Sequence, residues 1–330
     1  MPSDLATRLS TATAPIPDSF FADLITANHI LAHQRIVDGF GHISARSPQN
    51  PQTFYLSANR APALVSRRED IVEYRVEDAS AVNPDAPREY LERFIHSEIY
   101  KRFPDVGSVV HAHSEEVIVF GVTGVPLRVV FHMGGVMGST VPVFDAAQHY
   151  SSSNRHDLLI SSPQLGAHLA AAFAPSSLLA KTGSVLKSFI PGSEEQQGTA
   201  YPPHQVVLMR GHGFTALARD VKEAVYRAVY TTVNARIQRE AVLLQGAFNS
   251  AVAAERVTKV GKEGYQASSS SSSSGTKLGE VTFLSDREAA DAWEANAGQV
   301  HRPWELWTEE VKASSLYRNE YWEDDEQGES

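Results

Sequence analysis

No cysteine occurs anywhere in the chain, which excludes disulfides, thiolate metal sites and cysteine nucleophiles together. A surplus of basic charge is also missing. Lys and Arg number 29 against 39 Asp and Glu, a formal net charge of −10, so the basic face of a nucleic-acid binder is not expected. No run approaches the roughly 18–20 consecutive apolar residues that a membrane span requires. The first residues, MPSDLATRLSTATAP, lack the apolar core of a secretion signal. The expectation is a soluble, cytoplasmic protein that binds neither nucleic acid nor membrane. The rest is ordinary for a globular chain. Of its 330 residues 42% are hydrophobic and 21% charged, enough to bury a large core without covalent staples.

Four segments follow one another along the chain. Residues 1–17 are small, polar and proline-punctuated, and are expected to be mobile. Residues 18–250 carry the patterned elements of one large domain. Pro17-Asp18-Ser19 opens a helix with Phe21, Leu24, Ala27 and Leu31 at helical spacing, and Gly39 is placed to stop it. Strand-like runs follow at Thr53–Leu56 and Ile71–Tyr74. Residues 88–103 predict an amphipathic helix with Leu91, Phe94, Ile95, Ile99 and Phe103 on one face and Pro104 as its stop. Val106–His113 and Gln205–Arg210 read as strands. Asp220 and Glu223 form a capping-box start for a long helix with the stripe Val225, Val229, Val233 and Ile237. Ala174–Pro203 reads as an insertion. Residues 251–277, with the serine run Ser268–Ser274, read as a flexible linker. Residues 278–330 regain helical pattern and hold Trp293, Trp304, Trp307, Tyr317 and Tyr321, a composition that suits docking.

His111-Ala112-His113 ends an apolar strand. Alternate strand residues share one face about 7 Å apart, so both imidazoles can converge on one ion. Alone, such a pair reads equally well as polar residues at a strand end. His212 stands between two glycines, which permit close backbone approach. Three neutral histidines with an open position suit zinc, and similar donor sets take manganese, cobalt or iron. Glu92 precedes the first histidine pair, with His96 one turn later. The two read either as a solvated pair or as a carboxylate beside the metal, fit for general acid or base work.

The chain resembles the class II aldolase/adducin family over about residues 20–245. The resemblance rests on Gly41-His42-Ile43-Ser44-Ala45-Arg46, the Glu92 segment, Val109-Val110-His111-Ala112-His113, and Leu208-Met209-Arg210-Gly211-His212-Gly213. It implies a three-layer α/β/α fold with a central, mainly antiparallel sheet. It also implies one divalent metal ion on His111, His113 and His212, with Glu92 as acid/base, and a homo-oligomer, often a tetramer. Sugar-phosphate aldolases of the family carry Gly-Asn where this chain has Gly41-His42, and a serine pair where it has Tyr90-Leu91. Without those small donors a phosphate cradle is lost. The pattern is more similar to the decarboxylase-like branch, typified by an enzyme of a hydroxypyridine dicarboxylate. Shared features are GHISAR, the Ser57-x-x-Arg60 loop, Phe131-His132-Met133-Gly134-Gly135 and Arg302-Pro303-Trp304.

The resemblance implies metal-assisted cleavage of a carbon–carbon bond in a small-molecule carboxylate, most simply a hydroxylated aromatic or hydroxy-keto acid. His42, Ser44, Arg46, Ser57, Arg60 and His132 are the candidate substrate contacts, with Arg46 and Arg60 suited to grip a carboxylate. Either arginine reads equally as a surface residue, and His132 as a buried structural one. Three alternatives stand beside decarboxylation: retro-aldol cleavage of an unphosphorylated hydroxy-keto acid, an iron(II)-dependent oxygenase on the same fold, and a non-catalytic adducin-like module.

Overall fold

The computed structural model describes residues 15–87, 89–152, 155–174, 200–260 and 279–322. The expectations for residues 1–14, for the serine run 268–274 and for most of the insertion at 174–203 lie outside them.

Seven strands form one sheet: β1 (His42–Arg46), β2 (Thr53–Ser57), β3 (Ile71–Arg75), β4 (Ser108–Ala112), β5 (Val143–Phe144), β6 (Val206–Met209) and β7 (Gly213–Ala218). Their order across the sheet is β3-β2-β1-β4-β7-β6-β5. Every neighbouring pair is antiparallel except β5 with β6. Among the described residues they are joined by α1 (Asp18–His33), α2 (Arg93–Arg102), α3 (Glu115–Thr123), α4 (Pro163–Ala172) and α5 (Val221–Val260).

Strand alternation sorts the side chains into two cores. Ile43, Ala45, Val110 and Ala112 point to one face, where α1, α3 and α5 cover them with Leu24, Ile25, Phe120 and Val225. Leu56, Val72, Val109 and Val207 point to the other, beneath Ile95 and Ile99 of α2 and Leu165 and Leu169 of α4. The chain therefore folds as an α/β protein of three layers. Among the described residues no helix is long and apolar enough to cross a membrane.

The structure departs from the expected pattern in three places, through long-range bonds in the first and local ones in the other two. The helix expected from residue 88 begins at Arg93, and Leu91, expected on its buried stripe, is 53% exposed. The Tyr90 amide donates to Tyr74 Oη, the Tyr90 hydroxyl donates to the Phe40 carbonyl, and Glu92 accepts from the Ile160 amide. These bonds hold residues 90–92 out of the helix. α1 ends at His33, not at Gly39. Arg35 takes the left-handed turn with φ 57°, and Asp38 then binds the amides of Phe40 and Gly41. At the start of α5 Asp220 caps the Glu223 amide, but the Glu223 carboxylate pairs with buried Arg227 at 2.7 Å instead of closing the box.

α5 continues to Val260, through the boundary expected at 250. The residues beyond 278 form α6 (Asp286–Ala297) and α7 (His301–Lys312). They belong to the main core: Trp304, Trp307, Val311 and Tyr317 are buried in the α1/α5 layer, and Asn319 donates to the Ala22 carbonyl. A large aromatic truncated in such a core costs about 3–5 kcal/mol. Trp307→Ala should therefore lower the unfolding free energy of the whole chain by that amount in a denaturant titration. A loss under about 1 kcal/mol would make the tail an appendage.

Candidate active site

Register brings the first two histidines together. His42 on β1 pairs with His111 on β4, so both rings stand on the α2/α4 face, 5.1 Å apart between centroids. His113 lies one residue past the end of β4. His212 occupies the β6–β7 turn, where Gly211 adopts φ 66°. A Cβ on Gly213 would stand 2.0 Å from the Ala112 carbonyl oxygen, so only glycine lets this turn close against the end of β4. The result is a triangle of imidazoles with centroid separations of 4.7 Å for His111–His212 and 5.0 Å for both His111–His113 and His113–His212.

Glu92 closes the group. One carboxylate oxygen is fixed by the Ile160 amide at 2.9 Å. The other lies 3.6 Å from His212 Nε2 and 3.9 Å from His111 Nε2. One ligand atom from each of Glu92, His111, His113 and His212 falls within 4.8 Å of the others.

The donor set fits a divalent ion. His111 Nε2, His113 Nε2 and both ring nitrogens of His212 are buried without a hydrogen-bond partner, which a structure seldom tolerates without a ligand. The opposite edges of two rings are anchored. His111 Nδ1 meets Thr215 Oγ1 at 3.3 Å, and His113 Nδ1 meets Asp38 Oδ2 at 3.2 Å. A carboxylate behind a histidine orients the ring and raises its basicity toward a metal. Burial, and then the neighbouring histidines, push the His111 imidazole far below its usual range, into the neutral form that a ligand requires.

Beside this group opens a cavity of about 590 Å³, lined by Phe40, Asn59, Glu89, Tyr90, Leu91, Glu92, Arg93, His113 and Leu159. Burial, and then the charges of Glu92 and Asp38, raise the Tyr90 phenol.

The other candidates stand elsewhere. Arg46 turns onto the backbone. Its guanidinium donates to the carbonyls of Pro51, Tyr100, Val106 and Phe103, and it borders a different cavity with Gly107 and Trp293. Arg60 donates to the Leu64 carbonyl and faces Asp70 at 3.7 Å, while Asn59 beside it lines the pocket. Ser57 shares the sheet face of Tyr55, opposite His42, and its hydroxyl is buried without a partner. Ser44 is wholly buried behind the site, bonded to His96 and Tyr100. His132 is exposed at the head of a 3₁₀ helix (His132–Met137), outside the pocket. The arginine that the pocket does present is Arg93, already paired with Glu89 at 2.7 Å.

Asp38, Thr215 and Leu159 were not anticipated. Asp38-Gly39 carries only a turn signal, and nothing in spacing connects it to His113, 75 residues away.

The profile of the Class II Aldolase and Adducin N-terminal domain matches residues 22–239. The chain belongs to the class II aldolase/adducin family. It is 41% identical over 296 residues to Decarboxylase tropJ of Talaromyces stipitatus, covering 89% of this chain and 95% of that protein. It is 25% identical to the 3,4-dihydroxyphthalate decarboxylase of Arthrobacter keyseri, covering 62% of this chain and 71% of that one. The fold is shared with an aldolase II superfamily protein from Pseudomonas syringae at a TM-score of 0.58 and 16% identity, over 92% of this chain and 96% of the other. The chain is therefore a lyase.

The Asp38 contact gives a direct test. Asp38→Asn keeps the size of the side chain but removes the charge behind His113, and losing such a partner typically weakens metal binding about 10–100-fold. Zinc titration against a competing chelator would read the change. Unaltered affinity would separate His113 from the metal or Asp38 from His113.

Proposed function

We propose that this lyase is a divalent-metal-dependent decarboxylase of a hydroxylated aromatic, heteroaromatic or hydroxy-keto carboxylate, and not a sugar-phosphate aldolase. The observation that carries the reading is the Glu92 carboxylate, held by the Ile160 amide within 3.9 Å of two unpartnered imidazole nitrogens and opening on the cavity. His111, His113 and His212 would hold the ion; zinc and manganese suit the donors, as do iron and cobalt. When bound, the ion supplies Lewis acidity to a substrate hydroxyl or carbonyl oxygen beside the scissile carboxylate.

The chain's own groups do the remainder. Phe40, Tyr90, Leu91 and Leu159 offer apolar walls to a ring. A carboxylate that enters this pocket sheds water, and its departure as neutral carbon dioxide relieves that cost. Glu92 takes the proton of the adjoining hydroxyl. The carbon–carbon bond then breaks with its electron pair remaining on the ring or α-carbon, and Glu92 returns the proton to that carbon. The substrate oxygen regains a proton from water.

Two features argue against a phosphate. The Tyr90 hydroxyl is committed to the Phe40 carbonyl, and Leu91 offers no donor. The names of the relatives point the same way, since dihydroxyphthalate is a hydroxylated aromatic dicarboxylate. Action in the cytoplasm as a homotetramer completes the reading, and light scattering checks the mass.

Glu92→Gln should keep its metal and lose carbon dioxide release by about 10²–10⁴-fold, the usual worth of a general acid or base. Turnover at the wild-type rate would remove Glu92 from the chemistry. Chelation should abolish activity, and restored zinc or manganese should recover it. Assays should pair hydroxyaryl carboxylates with ketose 1-phosphates and score carbon dioxide against aldehyde. Aldehyde from the sugar phosphate, with no carbon dioxide from any acid, would replace decarboxylation by aldol cleavage.

A further inference from the structure

Behind the triangle of imidazoles stands a fourth buried histidine, and a chain of hydrogen bonds runs back from it into the protein. His42 Nδ1 meets His96 Nε2 at 2.7 Å. His96 Nδ1 meets Ser44 Oγ at 2.7 Å, and Ser44 Oγ meets Tyr100 Oη at 2.7 Å. His42, Ser44 and His96 are fully buried and Tyr100 is 1% exposed, so the chain is shielded from bulk solvent. His42 Nε2 has no partner.

The protons in this chain can run in two directions, and counting them decides between the two. In the first, the Tyr100 hydroxyl donates to Ser44, Ser44 donates to His96 Nδ1, and His96 Nε2–H donates to His42 Nδ1. Every hydrogen is used, and the one open end is a proton on His42 Nε2. In the second, His42 donates to His96, His96 to Ser44 and Ser44 to Tyr100. The Tyr100 hydroxyl then has no acceptor, because Ser44 is its one hydrogen-bond partner among the described residues. His42 Nε2 would also be an unmet lone pair. The first arrangement leaves one buried group open and the second leaves two, and buried open groups are costly. Burial drives the His96 imidazole down to about 3 and holds the Tyr100 phenol up, so both stay neutral and supply the protons counted.

We propose that the Tyr100–Ser44–His96 relay fixes His42 with its proton on Nε2, making it a hydrogen-bond donor to an anionic substrate oxygen and barring it from the metal. A ring nitrogen that carries hydrogen has no lone pair for an ion, and the other nitrogen of His42 is occupied by His96. This explains why four histidines stand in ring contact while ligand atoms of only three converge with Glu92. It also gives the open Nε2–H a partner. The His42 ring lies 4.6 Å from that of Tyr90, which lines the cavity, and 5.1 Å from that of His111. A carboxylate or phenolate oxygen reaching the centre is an acceptor of the right charge. The donor role rests on the decarboxylase reading, whereas the relay and the exclusion from the metal do not.

The test uses the full chain loaded with zinc. Nitrogen-15 NMR of the histidine side chains should show the His42 proton on Nε2, and Ser44→Ala should disperse it between the two nitrogens. His42→Phe should retain full zinc occupancy yet lose turnover of the hydroxyaryl carboxylate by about 10²–10³-fold, chiefly in kcat, the usual worth of one preorganised donor. His42→Gln, which keeps an N–H, should recover part of that loss. A proton on Nδ1 in the wild-type protein would overturn the relay. Zinc lost from a folded His42→Phe variant would make His42 a ligand and overturn the exclusion. Equal turnover in the Phe and Gln variants would remove the donor role. A wild-type enzyme that releases no carbon dioxide would sink the decarboxylase reading alone, since the NMR and zinc measurements still decide the relay.

Discussion

The antiparallel pairing of β4 with β7 is the constraint on which the site depends. Ala112 lies opposite Phe214 at its end, one step before both strands turn away. There Gly213 brings the β6–β7 turn against the Ala112 carbonyl, closer than any side chain would allow. This contact sets His212 beside His113 and His111. Without it the three imidazoles would belong to two separate edges. With it they share one face, and the energy of a seven-stranded sheet stands behind their positions.

Around that junction each histidine is held from behind by a different kind of group. A carboxylate turns His113, a hydroxyl turns His111, and a second imidazole turns His42. The differences are chemical. A carboxylate strengthens an imidazole as an electron donor, whereas an N–H from His96 occupies the very lone pair that a ligand would offer. Four rings of one residue type can thus take two roles within a few ångströms. Glu92 adds a carboxylate between the rings of His111 and His212, placed by a backbone amide at the first residue before α2 and not by the helix itself.

The pocket differs from the expectation in the place where polarity matters most. Arginines inferred to grip a carboxylate are spent on backbone carbonyls or on Asp70, and Arg93 on the pocket wall is matched by Glu89. What remains is a pocket in which Phe40, Tyr90, Leu91 and Leu159 alternate with Asn59, Glu89, Glu92, Arg93 and His113.

Much of this was legible in the amino-acid order. Alternating and helical periods marked α1, β2, β3, β4, β6 and α5, because those periods follow from backbone geometry alone. The histidine–alanine–histidine strand end and the glycine-flanked His212 were weak signals singly, and it was their order along the chain, through the resemblance to the family, that made them a candidate metal set. The start of α2 differs from the helical period because bonds to distant residues fix it, the Ile160 amide donating to Glu92 and the Tyr90 amide to Tyr74, and α1 ends early at the left-handed turn of Arg35. Asp38, Thr215 and the His96 relay left no trace in spacing. They act across 52 to 104 residues of chain, and such distances close only when strands pair and layers pack. Sequence determined which residues can do the chemistry, since composition and period are local. Which nitrogen of each ring is free to do it was decided by tertiary contact alone, because a tautomer is set by the group on its other side.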